Sequence, residues 1–251
     1  MEKERTEFLH TILSCPKDRS ALRRAAPDAF ECPTCRGNFS AVGGKVFFSE
    51  PPADVEVSNK GVFQWSRWKH ACAAYFVKEF ERQSPSNVLI DVGAGAGGFR
   101  SIISRFERVV GIDFYPYDTV DIVSDIQDSL PVRNQCGDIV LLSNVLEHVS
   151  RPEEVLAECR RILKPGGVLV GAVPFLMEVH QAPYDFHRYT SFRLRRMIFA
   201  AGFSNVSVTP LGDLADAYET TQRQFFLRAL SALPERSILR RVSVRLWRKA
   251  S

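Results

Sequence analysis

The chain has 251 residues, an apolar fraction of 45%, a charged fraction of 25% and a formal net charge of +4. That length suits one α/β domain with an added small unit, and the composition is that of a globular chain, not a disordered or fibrous one. No apolar run reaches the roughly 18 residues of a membrane span. The N-terminal "MEKERTEFLH" lacks a secretory h-region, and six cysteines at this length do not make a disulfide framework, so cytoplasm is the expected setting.

In chain order, residues 1–52 hold many turn signals and three cysteines in a paired pattern. Cys15 and Asp18 are spaced C-x-x-D; Cys32 and Cys35 are spaced C-x-x-C. Two such knuckles have the ligand spacing of a zinc ribbon, with Asp18 where a fourth cysteine would stand. Two outcomes are open. Cys15, Asp18, Cys32 and Cys35 hold a structural zinc, or the ribbon is degenerate and rests on a small core of Leu13, Leu22, Phe30, Phe39, Val46 and Phe47. A unit of about 50 residues without a metal is marginal alone, so docking on the larger part is expected. Residues 53–85 read as a linker and a helix, stopped by Ser84-Pro85. Cys72, Cys136 and Cys159 sit singly among apolar neighbours, as core thiols do.

From Val88 onward, apolar strands alternate with helical patterns. Strands are expected at Val88–Val92, Val109–Asp113, Asp121–Ser124, Asp138–Ser143, Val168–Val173 and Val206–Thr209. This alternation predicts βαβ units and a doubly wound, mostly parallel sheet over residues 86–212. A helix is expected over residues 151–163, started by a capping box of Ser150 and Glu153 with Pro152 in the first turn, and stopped at Lys164-Pro165-Gly166-Gly167. Residues 213–251 form a C-terminal region in which 212–233 fits either a helix or an edge strand.

The first of these strands runs into "VLIDVGAGAGGF", a glycine turn in which Gly93, Gly95 and Gly98 satisfy G-x-G-x-x-G. Alone that spacing is weak evidence for a dinucleotide. Three aspartates sharpen it: Asp91 inside the first strand end, Asp113 at the second, and Asp125 after the third. In a doubly wound sheet the carboxyl ends of successive strands face one crevice. Asp113 can accept both hydroxyls of a ribose. Asp91 would repel a pyrophosphate at close range but would welcome an ammonium and a sulfonium. Asp125 and Ile126 suit the amine and the face of an adenine. Together they describe S-adenosylmethionine (SAM). The competing reading is that the aspartates only cap turns and end strands.

With these residues in view, the span from Val88 to about Val208 resembles class I SAM-dependent methyltransferases. "LIDVGAGAGG", "GID", "SDIQDSLP" and "CGDIVLLSNVLEHVSRPEEVLAECRRILKPGGVLVGAVP" are similar to their successive motifs, in wording close to the small-molecule and glycan branch. The resemblance implies a Rossmann-like sheet of the seven-strand methyltransferase type, preceded by a small β-rich zinc-ribbon-like domain that resembles methyltransferase partner domains. It also implies that Asp91, Gly93, Ala94, Gly95 and Gly97 meet the methionine end of the cofactor. Asp113 would hold the ribose, Asp125 and Ile126 the adenine, and Asn144 would lie near the substrate side.

Methyl transfer from a sulfonium is an in-line displacement that chiefly needs alignment of the nucleophile, and a base where that nucleophile is protonated. His148, in "LEHV", is one candidate base; His180 and His187, in "HQAPYDFHRYTSF", are others. Tyr184, Asp185, Arg188 and Tyr189 would shape an acceptor pocket in that loop, with Arg188 able to bind an anionic group bidentately. Alternatively the loop caps itself, Asp185 pairing with Arg188 and Thr190 starting the next helix. The expected activity is methyl transfer to an O or N nucleophile of a small-molecule or glycan- or lipid-linked acceptor. An RNA methyltransferase and a non-catalytic SAM-fold scaffold stand as alternatives.

From Gln222 to Ser251 the chain carries seven arginines, one lysine and one glutamate, a net +7, so the rest nets −3. That segregation argues against a nucleic-acid footprint on the main domain. Within the tail, Ile238, Leu239, Val242 and Leu246 share one helical stripe beside four arginines and Trp247. The pattern fits peripheral contact with an anionic membrane, or a helix docked on the sheet.

Overall fold

The computed structural model describes residues 2–51 and 67–231. The chain opens with helix α1 (Glu2–Ile12), followed by four short strands, β1 (Arg23–Ala26), β2 (Ala29–Glu31), β3 (Asn38–Val42) and β4 (Lys45–Phe47). These four form an antiparallel meander. The turn between β3 and β4 is Gly43-Gly44, both at positive φ (58° and 77°), the two-residue hairpin conformation that glycine adopts without strain. Helix α1 had no counterpart in the sequence reading. Its charged residues mask a short apolar side, on which Leu9 and Ile12 are buried.

Helix α2 (Arg67–Glu81) precedes the second half. Cys72, Phe76 and Phe80 recur every four residues and are fully buried, Phe76 meeting Phe99 and Phe80 meeting Phe106 edge-on. Next come β5 (Val88–Val92), the single turn α3 (Arg100–Ile103), β6 (Arg108–Asp113), the two-residue β7 (Ile122–Val123) and β8 (Gly137–Ser143). A 3-10 turn (Leu146–His148), α4 (Pro152–Ile162), β9 (Leu163–Ala172), α5 (Ser191–Ala200) and α6 (Leu214–Ser231) follow.

The sheet order is β1-β2-β3-β4-β7-β6-β5-β8-β9. The five strands from β5 onward are parallel and ordered 7-6-5-8-9, so the chain reverses direction across the sheet beside β5. That is the doubly wound, Rossmann-like arrangement, whose crevice opens at the carboxyl ends on either side of the switch point. The sheet has nine strands among the described residues, not the seven expected: the parallel part supplies five and the N-terminal meander adds four. Strand β4 pairs in parallel with β7, Val46 opposite Ile122. The short edge β7 is thereby covered.

The joint is also tied by side chains. Asp121 is buried, accepts the Gly111 amide (2.9 Å) and pairs with Arg5 of α1 (2.6 Å). Leu9, Ile12, Leu13, Leu22 and Phe30 belong to the same buried cluster as Val88, Ile90 and Val140. The proposed ribbon core is therefore continuous with the main one; Phe39 packs against it half-buried.

Two local expectations differ from the structure, and one open alternative is decided. Val206–Thr209 forms no strand and lies as irregular chain. The capping box is absent: Arg151 is the cap residue, Ser150 donates to Gln127 Oε1 (2.7 Å), and Glu153 pairs with Arg193 of α5. The ambiguous 212–233 stretch is helical as far as Ser231. The basic stripe at 238–246 lies outside the described residues. Cys72 and Cys159 are buried thiols and Cys136 is half-buried, as expected.

Candidate active site

β5 is buried along its whole length and delivers Asp91 to the crevice. The chain then turns through Gly93, whose amide, with that of Ala94, donates to Ile112 O at the end of β6 (2.8 and 3.1 Å). Gly93 has φ +76°, and Val145 occupies the space a Cβ there would need. Gly97 has φ +78°, with the Thr119 methyl 2.5 Å from where its Cβ would lie. Glycine is thus required by both backbone conformation and close approach. The helix expected after this loop is the single turn α3, which presents no long dipole to a pyrophosphate.

Asp113 ends β6 beside Asp91. It accepts the amides of Gly95 (2.9 Å) and Tyr115 (3.0 Å), so its ring of partners closes the glycine loop onto β6. Burial pushes its carboxyl upward against these hydrogen bonds. Asp91 receives no hydrogen bond among the described residues. Burial, reinforced by the neighbouring Asp113 charge, raises it from 3.8 to about 7, with Arg100 opposing. Two buried carboxylates sharing one crevice, one of them starved of partners, call for a cationic ligand. The ammonium and sulfonium of SAM meet that demand and a dinucleotide does not.

Around this pair, Asp125 Oδ1 accepts the Gln127 amide (2.9 Å), leaving its other oxygen available, and Ile126 packs half-buried against the core. Asn144, just past β8, holds φ +55°; its Oδ1 is buried without a partner among the described residues. Thr119 was not expected here: its hydroxyl donates to Gly95 O (2.6 Å) and props the loop from below. A lone threonine in "YDTVD" carries no local signal for that contact.

The loop 177–190 arrives over the 3-10 turn. Asp185 accepts both Arg188 Nη atoms (2.6 and 2.9 Å) and the His180 amide (2.7 Å), and the guanidinium holds this carboxyl far below the usual range. Arg188 also donates to the carbonyls of Met177, Glu178 and His187. All five of its N–H groups are used, so it positions the loop and has none left for an anionic acceptor. Tyr189 is buried and donates to Leu146 O (2.8 Å), fastening the loop to the 3-10 turn, and its side chain also lines the apolar cavity beside β9. Thr190 accepts the Arg193 amide and caps α5. Tyr184 is the exposed member of the set, at 59%, and its carbonyl oxygen meets His148 Nδ1 (2.5 Å).

His148 and His180 meet edge to face, ring centroids 4.8 Å apart. His187 stands apart from them against Tyr189, its Nε2 buried without a partner among the described residues. Glu147, unremarked in the sequence, lies wholly buried below His148; burial raises its carboxyl to about 7. A separate apolar cavity of about 1230 Å³ opens between β9, α5 and residues 204–211. It contains none of the crevice carboxylates, so volume alone does not locate the chemistry.

In the N-terminal unit the two knuckles are built alike. "CPKDRS" and "CPTCRG" each place an arginine at positive φ (Arg19, 61°; Arg36, 60°), with that residue's amide returning to the cysteine carbonyl. Asp18 is thus the positional counterpart of Cys35. One ligand atom from each of Cys15, Asp18, Cys32 and Cys35 lies within 4.8 Å of the others. Cys15 and Cys35 Sγ are 3.5 Å apart, and Cys32 Sγ is 3.3 Å from Asp18 Oδ2. Tetrahedral zinc with Zn–S of about 2.3 Å needs sulfurs roughly 3.8 Å apart, so the donors fit a metal after a small adjustment.

Residues 90–171 match the family model described as "Methyltransferase domain". By that match the span is similar to methyltransferase domains. It is similar to a ubiquinone biosynthesis O-methyltransferase of Cereibacter sphaeroides, 30% identical over 96 residues, covering 33% of this chain and 39% of that protein. An uncharacterized methyltransferase of Mycobacterium avium is 35% identical over 94 residues, covering 33% and 37%. The chain thus spans about two fifths of the length of the curated relatives it matches. A SAM-dependent methyltransferase from Aquifex aeolicus shares the fold, with a TM-score of 0.50 at 20% identity, covering 61% of this chain and 91% of that one. The matched residues include Asp91, the glycine turn and Asp113, while the meander and α5–α6 lie outside them. No helix among the described residues is long and apolar enough to cross a membrane.

Proposed function

We propose that this protein binds SAM at the Asp91–Asp113 crevice and transfers its methyl group to an oxygen or nitrogen nucleophile of a small-molecule, glycan- or lipid-linked acceptor. The observation that carries this reading is the pair of buried carboxylates at adjoining strand ends, flanking a glycine turn that leads into a single helical turn. When bound, SAM supplies an activated sulfonium methyl. Asp91 would pair with its ammonium, Asp113 with the ribose hydroxyls, and Asp125 and Ile126 with the adenine. Asn144 Oδ1 offers an acceptor at the substrate side. The loop braced by Asp185–Arg188 presents Tyr184 over the 3-10 turn that carries His148, and His148, whose Nδ1 is held by Tyr184 O and whose buried Nε2 has no partner among the described residues, is the candidate to take a proton from the acceptor. Calorimetry with S-adenosylhomocysteine and with NAD tests the cofactor: micromolar-range binding of the former and none of the latter is expected. Labelled SAM incubated with fractionated lysate then identifies the acceptor class.

We further propose a structural zinc ion on Cys15, Asp18, Cys32 and Cys35, supported by the matched knuckles. Its purpose would be to rigidify the meander that extends the sheet. The basic C-terminal tail is proposed to adsorb to anionic membranes, which suits a lipid-linked acceptor.

A further inference from the structure

In the 3-10 turn, the Glu147 carboxylate and His148 Nε2 are buried without hydrogen-bond partners among the described residues, and the partly exposed His180 of the loop above lies beside them. Glu147 is 0% exposed, and neither carboxylate oxygen has a hydrogen bond among the described residues. His148 Nε2 is also buried and unpartnered, 3.7 Å from Glu147 Oε1. A hydrogen bond does not span that gap, so a shared proton does not bridge the two acceptors. One ligand atom each from Glu147, His148 and His180 lies within 4.8 Å of the others.

The histidines are pre-oriented in the same way. His148 Nδ1 lies 2.5 Å from Tyr184 O, and His180 Nδ1 lies 3.2 Å from both Glu178 O and Asp185 Oδ2. His180 Nδ1 also lies 3.4 Å from Arg188 Nη2, whose two protons go to the closer Glu178 O and Asp185 Oδ2, so the surrounding oxygens favour a proton on each Nδ1 and the lone pair on each Nε2. Histidines that ligate metals are held by this type of outer contact, which fixes tautomer and ring direction. Two donors bound to one ion at about 2.0–2.2 Å and near-tetrahedral angles lie roughly 3.3–3.7 Å apart, which the Glu147–His148 separation matches.

We propose that Glu147, His148 and His180 form a site for a divalent transition-metal ion of the zinc class. Two histidines and one carboxylate make a three-ligand set, which leaves a coordination position open. The carboxylate lies at the closed end. The His148 and His180 side chains are 15% and 27% exposed, so the site is reached from the histidine end, opposite the wholly buried Glu147. That this position would receive an acceptor oxygen rests on the methyltransferase reading; the ion site itself does not. If the ion is bound, His148 is a ligand and not the base, and a bound acceptor hydroxyl would lose its proton through lowering of its pKa by the cation.

The test is a Co²⁺ titration of the full chain as purified, with its cysteine site left filled. The expected result is one saturable equivalent with the visible bands of nitrogen and oxygen ligation and no thiolate charge-transfer band. Glu147→Gln, which keeps the side-chain shape, and His180→Asn should each weaken that equivalent by at least about a hundredfold, since even outer partners are worth 10–100-fold. S-adenosylhomocysteine binding should be unchanged in both, which separates failure of the metal site from failure of the cofactor reading. No thiolate-free equivalent in the unmodified protein overturns the proposal whether or not the variants fold. Retention of that equivalent by both folded variants overturns it as well.

Discussion

Replacing Asp91 by asparagine should stabilise the ligand-free protein while weakening its ligand. The carboxyl moves from 3.8 to about 7 in the fold because it is buried beside Asp113. A raised acid pKa means that the folded state holds the proton longer than the unfolded chain does. Stability therefore falls as pH rises from about 3.8 to 7, and the full penalty is present above 7. At about 1.4 kcal/mol per tenfold, that penalty is on the order of 2 kcal/mol at pH 5.5 and 4 kcal/mol at pH 8.5. Asparagine carries no such charge, so Asp91→Asn should raise the urea-unfolding free energy by about those amounts at the two pH values. Other titrating groups are common to both proteins, so the difference isolates Asp91. The same variant loses a charge-assisted contact to the ligand ammonium, roughly 1.5–3 kcal/mol, or about 10–100-fold in S-adenosylhomocysteine affinity. In the unmodified protein that affinity should decline below about pH 7 as Asp91 takes up its proton. Parallel stability–pH curves for the two proteins, or undiminished affinity in the variant, would refute the reasoning.

Asp18→Cys should retain zinc at least as tightly as the natural protein by elemental analysis after dialysis, because Asp18 stands where Cys35 stands in the twin knuckle; Cys32→Ala should release it and lower the melting temperature. Arg188→Ala should cost roughly 2–3 kcal/mol in denaturant unfolding by stranding the Asp185 carboxylate, less than a fully buried pair because the guanidinium is partly exposed; Arg188→Lys, lacking the fork, should not restore it, and calorimetry should find cofactor affinity unchanged in both. A chain truncated after Leu233 should no longer sediment with anionic vesicles at low salt, each tail cation contributing on the order of 1 kcal/mol near the surface; equal sedimentation of both chains would place the contact elsewhere.

By itself the sequence determined what short-range patterns can encode. The apolar runs of β5, β6 and β8 fall where expected, because a strand buried on both faces reads as a continuous hydrophobic stretch. Asp91, Asp113 and the glycine turn are legible because a parallel doubly wound sheet brings its strand ends together whatever fills the loops. The knuckles are legible because cysteine spacing is a local geometric constraint. Tertiary structure alone decided which edge receives the meander, since the β4–β7 pairing joins residues about 75 positions apart and backbone hydrogen bonds carry no side-chain signature. It alone withheld a strand from Val206–Thr209, whose alternation suited a sheet that offers it no pairing partner among the described residues. It also turned Arg188 from a ligand-binding residue into a brace, by placing three carbonyls and a carboxylate around one guanidinium. And it set His180 beside Glu147 and His148, more than thirty residues away in the chain, where three groups unremarkable in their own segments become a cluster only because the loop folds back over the turn.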